Sequence, residues 1–295
     1  MPIPIAVVGE DLTGDGEVDQ RDQKRALVLA PYFWQFSQWD ESDHLAERLE
    51  SIPAYEGNVT VHVNRTQGDR NVTVQDWLSF EDYDAIFIST HGARECNVQP
   101  DGMEWCYAVV STGLELNLID LNATLYKGFE LVGPFENESS NAVISLGFTK
   151  YTAKKWYPNG LDNTLLSLSA CETGLIPGDE LAAAVAGEQF VLMAWTEVVP
   201  SDLAFKALGT FVEQLSLGAS SELAYQAVIE AGFGSDGALA VWVIQFLSAK
   251  SAERRNHSRQ RRGATSPTFV QSDGIGQRSS GVGGGTISSA VGPQL

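Results

Sequence analysis

What the chain lacks narrows its function first. Its 295 residues contain no run of 18 or more apolar residues, the length that carries a helix across a bilayer. The opening Met-Pro-Ile-Pro-Ile-Ala-Val-Val-Gly has no basic residue and is too short for a secretory leader. Only three cysteines occur, too few for a disulfide scaffold. Together these absences make the cytoplasm the expected compartment, with a secreted mature form as the alternative. Positive charge is scarce as well: 19 Lys and Arg face 38 Asp and Glu, a formal net of −19. Gripping phosphates requires clustered bases, so neither nucleic acid nor a membrane is an expected partner.

The imbalance is uneven along the chain. Residues 1–250 hold 13 of the basic residues and 36 of the acidic ones, whereas residues 251–295 are rich in Arg, Ser and Gly with few apolar residues. Such a tail cannot bury enough surface to offset its ordering entropy, which predicts disorder. An acidic body attracts basic segments of a substrate, although acidity equally serves solubility. With 43% hydrophobic residues the remainder can bury one large core. The organisation read from this is an N-terminal segment (1–23), one domain (24–250) and a tail (251–295).

What the domain does contain is a set of short apolar runs. Asp84-Ala-Ile-Phe-Ile-Ser-Thr90 and Thr164-Leu-Leu-Ser-Leu-Ser-Ala170 read as strands buried on both faces; they end in His91-Gly92 and Cys171-Glu-Thr-Gly174. Arg25–Pro31, Asn58–Val63 and Phe190–Trp195 read as further strands, and Ala240–Leu247 fits helix or strand. Helical spacing marks Asp43–Glu50, Val74–Ser79, Asp179–Ala186, Ser201–Leu217 with Ser201 as its cap, and Glu222–Ala231. Strands alternating with helices imply an α/β fold of three layers, a mainly parallel sheet flanked by helices on both faces. In open sheets of this kind the chemistry collects where strand carboxyl ends open into a crevice.

Residues 93–134 are polar and glycine-containing. They suggest only small β-elements at Leu116–Leu121 and Glu130–Gly133, with Asn141–Leu146 another. Cys96 and Cys106 lie there without histidine partners or a Cys-x-x-Cys pair, which makes a poor zinc site. They read as two unrelated thiols, with a disulfide as the alternative in an oxidising compartment. His62, mid-strand, and His44, on the polar side of a helix, read as structural. That leaves Cys171 and His91 as the cysteine and histidine that the strand pattern places on one edge of the sheet. A thiol becomes a nucleophile when an imidazole and nearby amides favour its thiolate. Gly92, with no side chain, gives its N–H close access to a substrate, and with the Cys171 N–H it offers an oxyanion hole.

A different chemistry is spelled by Asp11-Leu-Thr-Gly-Asp-Gly-Glu-Val-Asp-Gln-Arg-Asp22. Counted from Asp11, oxygen-bearing side chains fall at positions 1, 3, 5, 9 and 12, with glycine at 6 and an aliphatic residue at 8. That is the spacing of an EF-hand-type calcium loop, and it is similar to the single calcium loop of dockerin repeats. By that resemblance Asp11, Thr13, Asp15 and Asp19 donate side-chain oxygens, Glu17 its carbonyl, and Asp22 closes the shell. The expected cofactor is therefore a structural Ca2+ fixing the approach to the first strand, with no cofactor needed for the chemistry.

The two strand-end motifs, Ser89-Thr-His-Gly92 and Leu168-Ser-Ala-Cys-Glu-Thr-Gly174, resemble those of the CHAT branch of the caspase-like cysteine peptidases, relatives of separase and the metacaspases. The likeness runs from about Arg25 to Lys250. It implies a caspase-like three-layer fold, with Ala240–Leu247 as its closing strand, and a Cys171–His91 dyad acting on protein or peptide substrates. In that dyad Cys171 forms the thioester, His91 protonates the departing amine, and Glu172 and Thr173 shape the turn. Relatives that cut after Arg or Lys place a carboxylate just after a strand ending in tryptophan. In Trp195-Thr-Glu-Val-Val-Pro-Ser-Asp202 that implicates Glu197 or Asp202 in substrate binding. A regulatory protein partner fits the same resemblance. The rival function is a calcium-dependent binding module on a catalytically silent scaffold of this fold.

Overall fold

Residues 23–98, 102, 104–115, 129–135, 143–174, 180–187, 189–233 and 239–244 are described by a computed structural model. The calcium-loop residues 11–22, the suggested element Leu116–Leu121 and the tail 251–295 lie outside the described residues. The chain forms β1 (Ala26–Ala30), α1 (Phe33–Phe36), α2 (Ser42–Glu50), β2 (Val59–Val63), α3 (Val74–Trp77) and β3 (Ala85–Ser89). It continues through β4 (Gly92–Val98), β5 (Glu104–Glu115), β6 (Glu130–Phe135), β7 (Val143–Phe148), α4 (Lys150–Trp156) and β8 (Leu165–Ser169). The last elements are α5 (Glu180–Val185), β9 (Phe190–Trp195), α6 (Ser201–Ser216), α7 (Ser221–Glu230) and β10 (Leu239–Ile244).

Apolar runs without alternation demand cover on both faces, and the first sheet supplies it. Its order is β10-β9-β8-β3-β1-β2, all parallel except β10, which runs antiparallel to β9. Every residue of β1, β3 and β9 is buried, as expected of strands that helices flank on either side. Val28, Phe87, Leu165 and Met193 face a layer built from α2, α6 and α7. Leu27, Ile86, Leu166 and Leu192 face the other way, toward α3, α4, α5 and part of a second sheet. The fold is thus the three-layer α/β arrangement that the sequence implies. In α6 the buried residues Ala204, Ala207, Leu208, Phe211, Val212 and Leu215 recur at the helical period. Pro200, not Ser201, stands at its N-cap, and Ser201 is already helical.

The second sheet, β4-β5-β7-β6, is antiparallel throughout. It occupies the region whose sequence suggested only fragments. One reason is its half-solvated build: Leu131 and Ile144 are exposed while Leu146 and Phe148 are buried, so polar and apolar residues mix without a clean run. Cys96 and Cys106 are register partners across β4 and β5 and form a disulfide. This corrects the reading of two unrelated thiols: the hairpin brings opposite residues together, which residue spacing alone does not reveal. Phe148 on β7 packs in one aromatic cluster with Trp77, Phe80 and Tyr157, with Phe80 and Tyr157 stacked at 5.7 Å. That cluster seats the second sheet on the first. His62 Nδ1 lies 2.8 Å from Asp76 Oδ1 on α3, and His44 packs against Phe205 of α6; both are structural, although His44 faces a helix rather than water. Among the described residues no helix is long and apolar enough to cross a membrane.

Candidate active site

The site is assembled by register. β3 and β8 are parallel neighbours with Ser89 opposite Ser169, and the pairing continues where Thr90 N–H donates to the Ser169 carbonyl at 3.1 Å. His91 and Cys171 each follow two residues later, so both leave the sheet at the same rim from adjacent strands. Odd-numbered residues of both strands face the α2 and α6 layer, so the two residues continue that face.

From His91 the chain passes directly into the second sheet. Ser111 N–H donates to the His91 carbonyl at 2.8 Å, which makes Gly92 and Val110 a non-hydrogen-bonded pair and turns the Gly92 N–H away from β5. A Cβ at Gly92 would lie 2.2 Å from the Cys171 carbonyl oxygen and 2.7 Å from Thr173 Cγ2. Only glycine permits this approach of the two backbones. The turn itself is strained: Glu172 has φ 56°, a left-handed conformation that costs a non-glycine residue about 1 kcal/mol. Three bonds hold it there. Glu172 N–H donates to the Glu197 carbonyl (3.2 Å), Gly174 N–H to the Trp195 carbonyl (2.7 Å), and Thr173 Oγ1 to the Ala170 carbonyl (2.8 Å). Glu172 and Thr173 shape the turn, as the motif implies.

The imidazole is set by α1 and the residue before it. Its ring meets Tyr32 and Phe36 edge-on, at centroid distances of 4.7 and 4.9 Å. Nε2 lies 2.9 Å from Gln35 Oε1, an acceptor that favours the tautomer with its proton on Nε2. The Tyr32 hydroxyl is bonded to Ser111 Oγ at 2.8 Å, which anchors this aromatic wall to β5. Burial among these rings pushes His91 down to about 4. Cys171 is a free cysteine, partly buried. Burial pushes its thiol up, opposed by the Val199 N–H, which donates to Sγ at 3.4 Å, and reinforced by the Glu172 carboxylate. Both shifts favour the neutral thiol and the neutral imidazole over a thiolate–imidazolium pair.

Three of the sequence-derived residues, Cys171, His91 and Gly92, thus share one rim. Glu197 is exposed on the loop that follows β9, beside the turn, with its carbonyl engaged by Glu172. Asp202 lies in the first turn of α6, where its carboxylate pairs with Lys206 Nζ at 2.9 Å on the surface. The six calcium-loop residues fall outside the described residues, among which no cluster of three or more His, Cys, Asp or Glu is arranged to hold a metal.

Sequence reasoning passed over Gln35, Val199 and a buried acid pair, Asp40 and Glu41. Glu41 Oε2 accepts from Ser89 Oγ at 3.2 Å, and Ser169, the register partner of Ser89, stands beside them. One signal was available. Ser89 and Ser169 are polar, stand at inward-facing positions of apolar strands, and each precede a motif residue by two. Compared with known protein families and curated proteins, the sequence matches none of them.

Proposed function

We propose that the chain is a cysteine endopeptidase of the CHAT type, with Cys171 as nucleophile and His91 as the proton carrier. The observation that carries this reading is the β3–β8 register, from which His91 and Cys171 emerge side by side at one rim. With Nε2–H held by Gln35, the Nδ1 nitrogen takes the thiol proton as Cys171 Sγ attacks the peptide carbonyl. The N–H groups of Gly92 and Cys171 receive the oxyanion. The C–N bond then breaks, Nδ1 returns the proton to the departing amine, and a thioester remains. Water attacks that thioester, giving its proton through the same imidazole back to sulfur and releasing the carboxylate product.

Neutral resting groups favour this proton relay over a preformed ion pair, because the apolar wall of Tyr32 and Phe36 disfavours an imidazolium until substrate arrives. Protein or peptide chains are the substrates, and a regulatory protein is the expected partner. The EF-hand-type loop at Asp11–Asp22 holds a structural Ca2+ in this reading and supplies no step of the chemistry.

The test is a peptide-library digest run with wild type, Cys171→Ala and His91→Ala, with and without a calcium chelator. Removing either dyad member lowers turnover by about 1,000-fold or more. Cleavage that persists in Cys171→Ala would refute the reading and favour the binding-module alternative.

A further inference from the structure

We propose that Asn58 and Asn71 carry N-linked oligosaccharides, and that these sugars cover the open edge of the parallel sheet along β2. Neither site depends on the peptidase reading. Six of the chain's 11 asparagines, at 58, 64, 71, 122, 137 and 256, begin Asn-x-Ser or Asn-x-Thr with no proline at x. Chance placement of the 41 Ser and Thr would give far fewer. That triplet is the acceptor of N-glycosylation. The Cys96–Cys106 disulfide points independently to the same setting: Cys96 is exposed, and an accessible disulfide persists where thiols are not kept reduced. Both features belong to the non-cytoplasmic side of a membrane, the alternative compartment that the sequence left open.

Three of the six triplets, at Asn58, Asn64 and Asn71, lie among the described residues, and the fold sorts them. β2 ends the sheet order, and among the described residues only β1 pairs with it. Ala26 N–H donates to the Asn58 carbonyl at 3.1 Å and Asn64 N–H to the Ala30 carbonyl at 3.0 Å. The alternate residues Val59, Val61 and Val63 therefore turn their N–H and C=O groups outward. The strand, Val-Thr-Val-His-Val, favours extended pairing and has no lysine or proline to blunt that edge. Asn58 immediately precedes it. At the other end the Asn71 side chain reaches the edge itself, donating Nδ2–H to the outward carbonyl of Val63 at 2.9 Å. Asn71 is exposed, and Asn58 is half-buried with its Nδ2 bonded to the Glu56 carbonyl. Each keeps one Nδ2 hydrogen after modification, enough for these bonds. Asn64 differs: it is 3% exposed, and its Oδ1 accepts from the N–H groups of Asn71 and Val72 at 3.0 Å. A sugar there has no room in the folded chain. Hydrated sugars at both ends of β2 bar a second strand from pairing with it.

The sugar donor is a lipid-linked oligosaccharide phosphate, presented by a membrane-bound transferase. Asparagine Nδ2 attacks the anomeric carbon, and the Nδ2–C1 bond forms as the C1–O bond breaks. The lipid phosphate leaves with the electron pair and one Nδ2 proton is lost, so no oxidant or reductant is required.

Glycopeptide mapping by mass spectrometry, on the full chain from its native cells, decides the assignment. Asn58 and Asn71 are expected to carry sugar mass and Asn64 none. Thr60→Val and Asn71→Gln each remove the sugar from one site and leave the other occupied. The double variant self-associates with rising concentration in sedimentation, whereas wild type stays dispersed. Wild type from native cells lacking the transferase keeps every side chain and associates as the double variant does. Native protein bare at Asn58 or Asn71, or carrying sugar on Asn64, overturns the assignment. Association unchanged by loss of the sugars overturns their role on the edge.

Discussion

The chain passes straight from the parallel sheet into the antiparallel one at the His91–Gly92 step, and the two sheets are built on opposite terms. Along β1, β3 and β9 the parallel sheet is sealed on both faces, so these strands are continuous apolar runs and the core is set by side-chain volume. The antiparallel sheet leaves Leu131 and Ile144 half in water and is tied by the Cys96–Cys106 disulfide. The proposed dyad lies where the first hands over to the second. There the histidine ends one sheet, its walls are anchored on the other through Tyr32 and Ser111, and the cysteine turn packs against Gly92. A rigid sealed sheet fixes position, and a partly solvated neighbour gives access.

The comparison can be broken by substitutions on either side of the junction. Phe87→Ala in the sealed sheet, at a fully buried ring, destabilises by about 3–5 kcal/mol in denaturant unfolding. If it costs no more than a surface change, the two-faced burial of β3 is wrong. Removing the disulfide in the other sheet with Cys96→Ala and Cys106→Ala together costs about 2–3 kcal/mol. Loss in that variant should leave the alkylation of Cys171 near wild type, because the dyad hangs on the sealed sheet. Gly92→Ala, at the junction, costs about 1–3 kcal/mol through overpacking against backbone, and it lowers turnover more than either of the others lowers it per unit of stability lost. Leu131→Ala, on the exposed face, stays within about 0.5 kcal/mol of wild type.

A pH series sharpens the same contrast without disturbing packing. Glu41 has a folded pKa of about 8 against an ordinary value of 4.5. The folded state therefore holds a proton that the unfolded state has released, and stability declines as pH rises from about 4.5 to about 8. His91 works in the opposite direction: its folded pKa of about 4 lies below the ordinary 6.5, so its contribution is present above pH 6.5 and is lost as pH falls toward 4. Glu41→Gln removes the first effect only. Its stability relative to wild type should rise between pH 5 and pH 8 in denaturant titrations, and a flat difference would show that the carboxyl is ionised in the folded protein.

The strands, most of the helices, the layer order and the two motif residues were legible in the sequence, because burial on both faces leaves continuous apolar runs and buried helix faces repeat at 3.6 residues. β10 fits either period, so there periodicity was silent and only the family resemblance pointed to the strand that the structure shows. The second sheet and its disulfide were hidden because half-solvated antiparallel strands dilute the pattern and cross-strand partners are set by the register of a hairpin. Asp40 and Glu41 were hidden for a subtler reason. In Trp39-Asp-Glu-Ser-Asp43 they look like the solvated first turn of a helix, and only the docking of α2 on the sheet drew them under the rim beside Ser89 and Ser169. By itself the sequence determined which residues are apolar at which period, and hence the layers and the strand ends. Tertiary packing alone decided which polar residues those ends would gather, because the partners of a side chain at a strand's end come from segments distant in the chain.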